Sequence, residues 1–539
     1  MRGERDMGGM VVAPQIPAVE TGVGTLRNGG NAIDAAVTAA FVQMVVDPQM
    51  CGIGGFGAAT VRTAAGKEVC VDFNGTAGSK ATPEMWRDIV IEQDWTGYGY
   101  HLEGRVNDVG YGSIMTPGTV AGIAELLERF GTISWQDALR DAIRISEEGH
   151  VVTPELWQLW NMPGFGQHIS FGERMAATET SRAIYYKPDG SGYKPGERIV
   201  NPDHARALRR LADGGPREFY EGSLAKELAA DLAANGSFIT AEDLASYRVR
   251  VSEPIRVNYR GQTVLTNPPA GGGVCMAETL KIIEHEDIAA LGLNSVEYID
   301  LVGHAMKAAY HDWYGMVADP AFHNVPVDLL LSDERADEWY AKIKAGERFD
   351  VPRYPEAPTT THITVVDDAG NAIALTHSLG ASSGVVSPGY GFTWNNIMNA
   401  ANPQPGLPNS IAPGKSRITG MCPTIVLRDG ELVLALGAPG GTRIITGVLQ
   451  VLLNVLDHGL SAVEAVSAPR FDCQGDLLDC ESRIPIWVKA ELAGRGFQIV
   501  PNPAPYGQFA LVQAVTRDPA TGRLRGGADP RSGGAAMGC

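Results

Sequence analysis

The stretch Val351-Pro-Arg-Tyr-Pro-Glu-Ala-Pro-Thr-Thr-Thr-His-Ile-Thr-Val-Val-Asp367-Asp-Ala-Gly-Asn-Ala-Ile-Ala-Leu-Thr-His-Ser378 joins two textures. Its first eight residues, Val351–Pro358, form a proline-rich, extended connector. Then His362–Asp367, a turn at Asp368-Ala-Gly370, and Asn371–Ser378 predict a β-hairpin. Between connector and hairpin stand three threonines, Thr359, Thr360 and Thr361. Threonine runs before strands ordinarily reflect β-propensity. An accessible connector is also a place where a chain can be cut. A break before Thr360 would give that residue a free α-amine, with a pKa of about 7.7–8. The amine can take the proton of the residue's own hydroxyl, so that one residue is both nucleophile and base.

Upstream, Pro17 to Val46 predicts two helices separated by Gly29-Gly30. A glycine-rich turn, Cys51-Gly-Ile-Gly-Gly-Phe-Gly57, leads into a hairpin over Ala58–Arg62 and Glu68–Phe73. From Gly118 to about Ala345 the chain reads as mostly helical, with amphipathic stretches at Gly118–Phe130, Trp135–Glu148, Gly222–Asn235 and Ser295–Tyr314. Downstream, hairpins are expected at Thr424–Leu436 and near Phe509–Thr516, with helices at Thr442–Asp457 and Ile486–Arg495. Antiparallel hairpins flanked by helices predict stacked layers of helix and sheet, an α+β arrangement.

The whole chain narrows the function classes. Its 539 residues exceed what one simple core accommodates. With 44 basic and 62 acidic residues, a formal charge of −18, it has no basic field for nucleic acid or an anionic membrane. The 65 glycines and 33 prolines are spread along the chain, which implies many tight turns rather than repeats. Seven scattered cysteines form no CxxC pair, so no metal site and no cofactor are expected, and Cys473 and Cys480 are read as free thiols. Residues 1–15 lack the apolar core of a secretory signal, and no stretch approaches the ~20 apolar residues of a membrane span. A cytoplasmic location is the expectation. Gly52-Ile-Gly-Gly-Phe-Gly57, with Asp72 beyond it, superficially matches a dinucleotide fingerprint. That fingerprint must follow a strand and open a helix; here a helix precedes it and a hairpin follows, so its glycines are read as allowing close backbone approach.

Ordered motifs run along nearly the full chain: Gly29-Gly-Asn-Ala-Ile-Asp-Ala-Ala-Val37, Gly52-Ile-Gly-Gly55, Pro117-Gly-Thr-Val-Ala-Gly122, Thr360-Thr361-His362, Pro423-Thr-Ile-Val426, Gly437-Ala-Pro-Gly-Gly-Thr-Arg-Ile-Ile-Thr446 and Asp529-Pro-Arg-Ser532. In these it resembles the γ-glutamyltranspeptidase family of N-terminal-nucleophile (Ntn) hydrolases. The resemblance implies a four-layer αββα sandwich made as one precursor and cut between Thr359 and Thr360. Residues 1–359 would become a large subunit and 360–539 a small one, intertwined in one fold, with a higher homo-oligomer left open. Thr360 would be the nucleophile and, through its amine, the base. Ser378 would replace the family's usual helper threonine, keeping its hydroxyl. Gly440 and Gly441 would supply the oxyanion hole, while Thr361 and His362 would be structural supports.

The pattern departs from the family where the donor's amino-acid head is held. Asn74 stands in place of the arginine after Asp-Phe, so a bidentate carboxylate clamp is missing. Gly380 replaces an asparagine, Ile397 a glutamine, Ala400 an aspartate, and Thr419-Gly420 a serine pair. An ammonium against Ile397 and Ala400 would be desolvated without a partner. The expected substrate is a small-molecule amide whose acyl part lacks the glutamate α-amino-acid head. Arg417, beside the substituted pair, is ordinarily a surface arginine, and alternatively a new anion contact. The segment Ala400–Ser416 is short, which resembles relatives without a long lid and favours hydrolysis over transfer. Other readings are an authentic γ-glutamyl hydrolase or transferase, a hydrolase of C–C bonds beside a carbonyl, and an uncut, binding-only relative.

Overall fold

A computed structural model describes residues 8–93, 99–164, 168–347, 360–500 and 502–539. The connector Val351–Pro358 and Thr359 lie outside the described residues.

Two antiparallel sheets face one another. The first has seven strands. They are β1 (Gly9–Ala13), β2 (Phe56–Arg62), β3 (Glu68–Phe73), β4 (Arg250–Ser252), β7 (Thr361–Asp367), β8 (Ala372–Ser378) and β13 (Ala535–Gly538), in the spatial order β13-β1-β7-β8-β2-β3-β4. The second has six. They are β5 (Ile255–Tyr259), β6 (Gln262–Thr266), β9 (Thr424–Arg428), β10 (Glu431–Gly437), β11 (Gln513–Arg517) and β12 (Leu524–Ala528), in the order β12-β11-β10-β9-β6-β5.

Period-two alternation assigns each side chain to a layer. On β1, Met10 and Val12 point to the space between the sheets, where they meet Leu265, Ile425, Leu427, Leu432 and Val515. Val11 and Ala13 point the other way. There α1 (Ile16–Arg27) and α2 (Ala32–Val46) cover the first sheet and pack against Ile363, Val365, Ile373 and Leu375. The outer face of the second sheet buries Val257, Val264, Val426, Leu434 and Leu436 under α3 (Gly273–Ile283), α4 (Val296–Met316) and α5 (Arg443–Leu456). Each fully buried Val, Leu or Ile side chain contributes about 1.5–3 kcal/mol relative to exposure. The result is the αββα layering that the family resemblance implies, within the stacked layers of helix and sheet that the hairpins suggest.

The helix α2 shows why burial can hide periodicity. Fourteen of its residues, from Ala32 to Val45, are buried, so it carries almost no polar face. Its start is specified locally by a capping box: Asn31 accepts from the Asp34 backbone and Asp34 accepts from the Asn31 backbone.

The structure corrects the mostly helical reading of the middle segment. Ile255–Tyr259 and Gln262–Thr266 form a hairpin at the edge of the second sheet. Its turn, Arg260-Gly261, has φ of 50° and 75°, the pairing of two positive values that two-residue hairpins favour. The expected hairpin near Phe509–Thr516 is displaced toward the C-terminus: Gln513–Arg517 pairs with Leu524–Ala528. Strands β1 and β13 also escape a pattern reading, because short apolar runs carry no diagnostic period. No helix among the described residues is long and apolar enough to cross a membrane. The seven cysteines form no disulfide with one another.

Candidate active site

The β7–β8 hairpin places Thr360. Register pairs Thr361 with His377, so Thr360, one residue earlier, falls beside Ser378. The Thr360 and Ser378 hydroxyl oxygens are 3.1 Å apart, and both residues are buried. The Gly380 N–H donates to the Ser378 hydroxyl oxygen at 2.9 Å. With one lone pair engaged, the Ser378 hydroxyl can direct its proton at Thr360.

Gly380, read as a lost polar side chain, thus enters the site through its backbone. Its φ is 73°, and a Cβ there would lie 2.4 Å from Asn396 Oδ1. The loop after Ser378 is anchored by groups the sequence reading did not single out. Asn396 accepts from the Ala381 N–H at 2.7 Å and donates to Asp108 Oδ1 at 2.9 Å. Arg174 holds Asp108 with two bonds of 2.6 and 2.8 Å and donates to the Ser382 carbonyl at 3.1 Å. The guanidinium keeps the buried Asp108 carboxyl below the usual carboxylate range, against the opposing effect of burial. Asp108 and Arg174 are far apart in sequence and belong to no motif, so only contact in space reveals them.

His362 is enclosed between Thr376 (Nδ1 to Oγ1, 2.8 Å) and Thr364 (Nε2 to Oγ1, 2.9 Å). Burial, then the neighbouring His377, pushes its pKa down to about 3. A neutral imidazole with both nitrogens engaged is a support rather than a base. Its ring also ties the sheets together. A Cβ at Gly437, the last residue of β10, would lie 2.2 Å from the His362 ring.

The turn after β10 therefore begins beside the strand that carries Thr360. Gly440 has φ 144° and Gly441 φ 61°. A Cβ on Gly440 would meet the Ala510 backbone at 2.7 Å. The Leu511 N–H donates to the Pro439 carbonyl at 3.0 Å, and the Tyr310 hydroxyl to the Thr442 carbonyl at 2.6 Å. A glycine turn pinned on both sides and opening α5 leaves backbone N–H groups without side chains in the way, which suits an anion.

Of the remaining candidate residues, Arg417, Asn74 and Ile397 connect to Ser378 through Phe56, while Thr419 and Gly420 lie toward the Gly440-Gly441 turn. Phe56 pairs with Ser378 across β2 and β8. The Arg417 guanidinium lies over the Phe56 ring at 5.3 Å. Asn74 Nδ2 donates to the Arg417 carbonyl at 2.9 Å, and the Tyr247 hydroxyl donates to the Asn74 carbonyl at 2.8 Å. Asn74 is therefore held by its neighbours' backbone and hydroxyl groups. Beside it, Gly75 leaves room for Ile397, whose Cδ1 is 2.4 Å from where a Cβ would stand. Ile397 packs with Phe56, Met115, Met398 and Met421. Gly420 lies against Gly441, whose carbonyl would be 2.4 Å from a Cβ on residue 420. Thr419 donates its N–H to the Ala270 carbonyl at 2.9 Å and accepts from the Met421 N–H at 3.3 Å.

Arg417 corrects the expectation of a surface arginine: only 3% of it is exposed. Burial pushes its pKa down to about 9. It donates to the Ile418 carbonyl at 3.3 Å. The glycines of the Gly52–Gly57 turn do serve close approach. A Cβ on Gly55 would be 2.3 Å from the Ser378 carbonyl, and one on Gly57 2.4 Å from the Thr376 carbonyl.

The chain is similar to known proteins along nearly its full length. The gamma-glutamyltranspeptidase family profile matches residues 18–539. A protein of Pseudomonas sp. (strain V22) described as "Acylase ACY 1 proenzyme" is 38% identical over 510 residues, covering 92% of this chain and 88% of that protein. The "Glutathione hydrolase proenzyme" of Escherichia coli (strain K12) is 33% identical over 546 residues, covering 97% of this chain and 90% of that protein. Among solved structures, a cephalosporin acylase from Bacillus halodurans superposes with a TM-score of 0.88 at 29% identity, covering 100% of this chain and 97% of that one.

Proposed function

This chain belongs to the gamma-glutamyltranspeptidase family and is an enzyme of its hydrolase and transferase type; from that premise we propose that it is a self-cleaving precursor in which Thr360 becomes the N-terminal nucleophile of an amide hydrolase. The observation that carries this reading is the 3.1 Å contact between the Thr360 and Ser378 hydroxyls at the mouth of β7. The word "proenzyme" in both relatives' descriptions supports the precursor.

Cleavage between Thr359 and Thr360 frees the Thr360 amine. The amine accepts the hydroxyl proton while Oγ1 attacks the substrate's amide carbon. Ser378 orients the attacking oxygen. Negative charge develops on the carbonyl oxygen and is met by the N–H groups of the Gly440-Gly441 turn. Collapse breaks the C–N bond, and the amine leaves with the proton. Water then attacks the acyl-enzyme, and the acid departs. The two products of the cut, residues 1–359 and 360–539, stay together because each sheet draws strands from both.

The acyl group that fits lacks an α-amino-acid head. Ile397 and its apolar neighbours offer an ammonium no partner, and desolvation there is costly. Arg417, whose guanidinium lies over the Phe56 ring that pairs with Ser378, supports an acyl chain ending in an anion. A second reading, γ-glutamyl donors, rests on the full-length relationship to a glutathione hydrolase.

Three measurements test this. The wild-type protein should run as two bands with a new N-terminus at Thr360, whereas Thr360→Ala should stay full length and inactive; efficient cutting of that variant would sink the assignment. An amide panel with and without an α-amino group on the acyl side should favour the donors without it, and a clear preference for γ-glutamyl donors would decide for the second reading. Arg417→Met should lower kcat/KM for donors with a terminal carboxylate by roughly ten- to a hundredfold, in line with the loss of a hydrogen bond to a charged group, and spare uncharged donors.

A further inference from the structure

The side chain of Thr361, the residue after the nucleophile, is gripped by a directed hydrogen-bonded chain. It starts at His377, which pairs with Thr361 across the hairpin. His377 Nε2 lies 2.9 Å from Gln43 Oε1. An amide oxygen only accepts, so this nitrogen carries the proton. Gln43 Nε2 then donates to Thr361 Oγ1 at 2.9 Å and to Gln15 Oε1. Thr361 Oγ1 donates to the same Gln15 oxygen at 3.1 Å. Gln15 Nε2 donates to Asp47 Oδ2, and Gln49 Nε2 to Asp47 Oδ1. Gln43, Gln49, Thr361 and His377 are buried. Apart from a longer contact of Gln43 Nε2 to the His362 carbonyl at 3.4 Å, the donors run toward Asp47, so the carboxylate is the acceptor that sets the direction of the chain.

We propose that Asp47 is a positioning residue for the nucleophile: as a carboxylate it orients the Gln15 and Gln43 amides that hold Thr361, and on protonation it reverses them. The proton balance is simple. One proton from water binds Asp47, which then donates to Gln15 Oε1. Both glutamines turn over, Gln15 Nε2 donates to Gln43 Oε1, and Gln43 Nε2 needs an acceptor at His377 Nε2. The imidazole therefore moves its own proton to Nδ1. Thr361 exchanges its donor and acceptor partners, and the residue before it shifts with the strand start.

Burial of the Asp47 carboxyl, opposed by its bonds from Gln15 and Gln49, pushes its pKa up to about 7, which brings the exchange into the neutral range. Among the described residues, the titratable groups facing this chain are the Cys51 thiol on the turn after α2 and the His362 and His377 imidazoles on β7 and β8. Burial, then the Asp47 charge, holds the thiol well above its ordinary value. Burial holds both imidazoles near 3. Asp47 is the member of this set that titrates near neutrality.

The inference rests on Thr360 as nucleophile, and two experiments separate the failures. Histidine ring-nitrogen NMR of the full wild-type protein, with His377 identified by its loss in His377→Gln, reads the chain without any substrate. His377 should be protonated at Nε2 above pH 8 and at Nδ1 below pH 6, and Asp47→Asn should abolish the change. An unchanged wild-type tautomer from pH 5.5 to 8.5 overturns the proposal. The second is kcat against pH, using the p-nitroanilide donor the wild type cleaves fastest. Asp47→Asn should lower kcat at pH 8 by about ten- to a hundredfold, the scale of a sub-ångström to one-ångström misplacement, with KM within twofold. It should also lose the ionisation near 7 while keeping that of the Thr360 amine, and Asp47→Glu should restore an ionisation. An Asp47→Asn profile that superposes on the wild type overturns the proposal. A wild type that is neither cut nor active refutes the nucleophile assignment instead, and the NMR result still decides whether the chain reverses.

Discussion

At the residue scale, the proposed chemistry at Thr360 draws on the Ser378 hydroxyl 3.1 Å away. Ser378→Ala removes it and should lower kcat roughly a hundredfold, the loss typical of a single positioned catalytic group. Ser378→Thr keeps the oxygen and should retain most activity; steady-state kinetics on a cleaved donor checks both. The imidazole of His362 should leave no mark on the pH profile between 5 and 9, since it is neutral throughout that range. Asp47 has a separate effect on stability. Its pKa in the fold, about 7, lies above the ordinary 3.8. Between those values the folded state binds the extra proton, so its contribution to stability is present at low pH and lost as pH rises through 7. Asp47→Asn removes that loss. Relative to wild type, its melting temperature should therefore rise at pH 8 compared with pH 5, measured by calorimetry at both values.

At the scale of elements, the turn between β10 and α5 is held from outside itself. Gly440 has a φ of 144° and touches the Ala510 backbone. Gly440→Ala should cut kcat by about a hundredfold or more, as the loss of one oxyanion donor does, while autoprocessing and melting report whether the fold survives. Gly437→Ala acts differently. It drives a methyl into the His362 ring between the sheets and should destabilise the protein by about 1–3 kcal/mol, as overpacking does, which denaturant unfolding reads. The β7–β8 hairpin was legible because alternating Ile, Val and Leu flank an Ala-Gly turn. The β5–β6 hairpin was not, because Arg260 takes a positive φ that its residue type does not advertise.

At the scale of the whole molecule, ion pairs at the C-terminal end support the site from a distance. Asp529 pairs with Arg470 at 2.8 Å and with Arg531 at 2.9 Å, and all three side chains are buried. Asp529 also accepts from the Val512 N–H at 2.9 Å. Residues 510–512 in turn abut Gly440 and Pro439. The motif Asp529-Pro-Arg-Ser532 thus braces the Gly440-Gly441 turn, the proposed oxyanion hole. Asp529→Asn strands a buried guanidinium and should cost about 3–5 kcal/mol, seen as a large drop in the unfolding midpoint. Residues 1–359 and 360–539 expressed as separate chains should each fail to fold, because neither holds a complete sheet; circular dichroism of each alone tests it.

By itself the sequence determined the layered fold, the hairpin that carries Thr360 and the glycine turn, because strand alternation, turn glycines and helix spacing are local and repeat along the chain. The resemblance to the family, carried by the chain's ordered motifs, located the substituted positions Asn74, Gly380, Ile397, Thr419 and Gly420. What those residues touch was decided only by the tertiary structure. Gly380 supports Ser378 through its backbone, Asn74 holds the carbonyl of Arg417, and Arg417 is buried over Phe56 rather than exposed. Asp108, Arg174 and the chain from Asp47 to His377 join residues tens to hundreds of positions apart. Burial, hydrogen-bond direction and the pKa of a carboxyl arise from what surrounds a group in space, and no spacing along the chain encodes that surrounding.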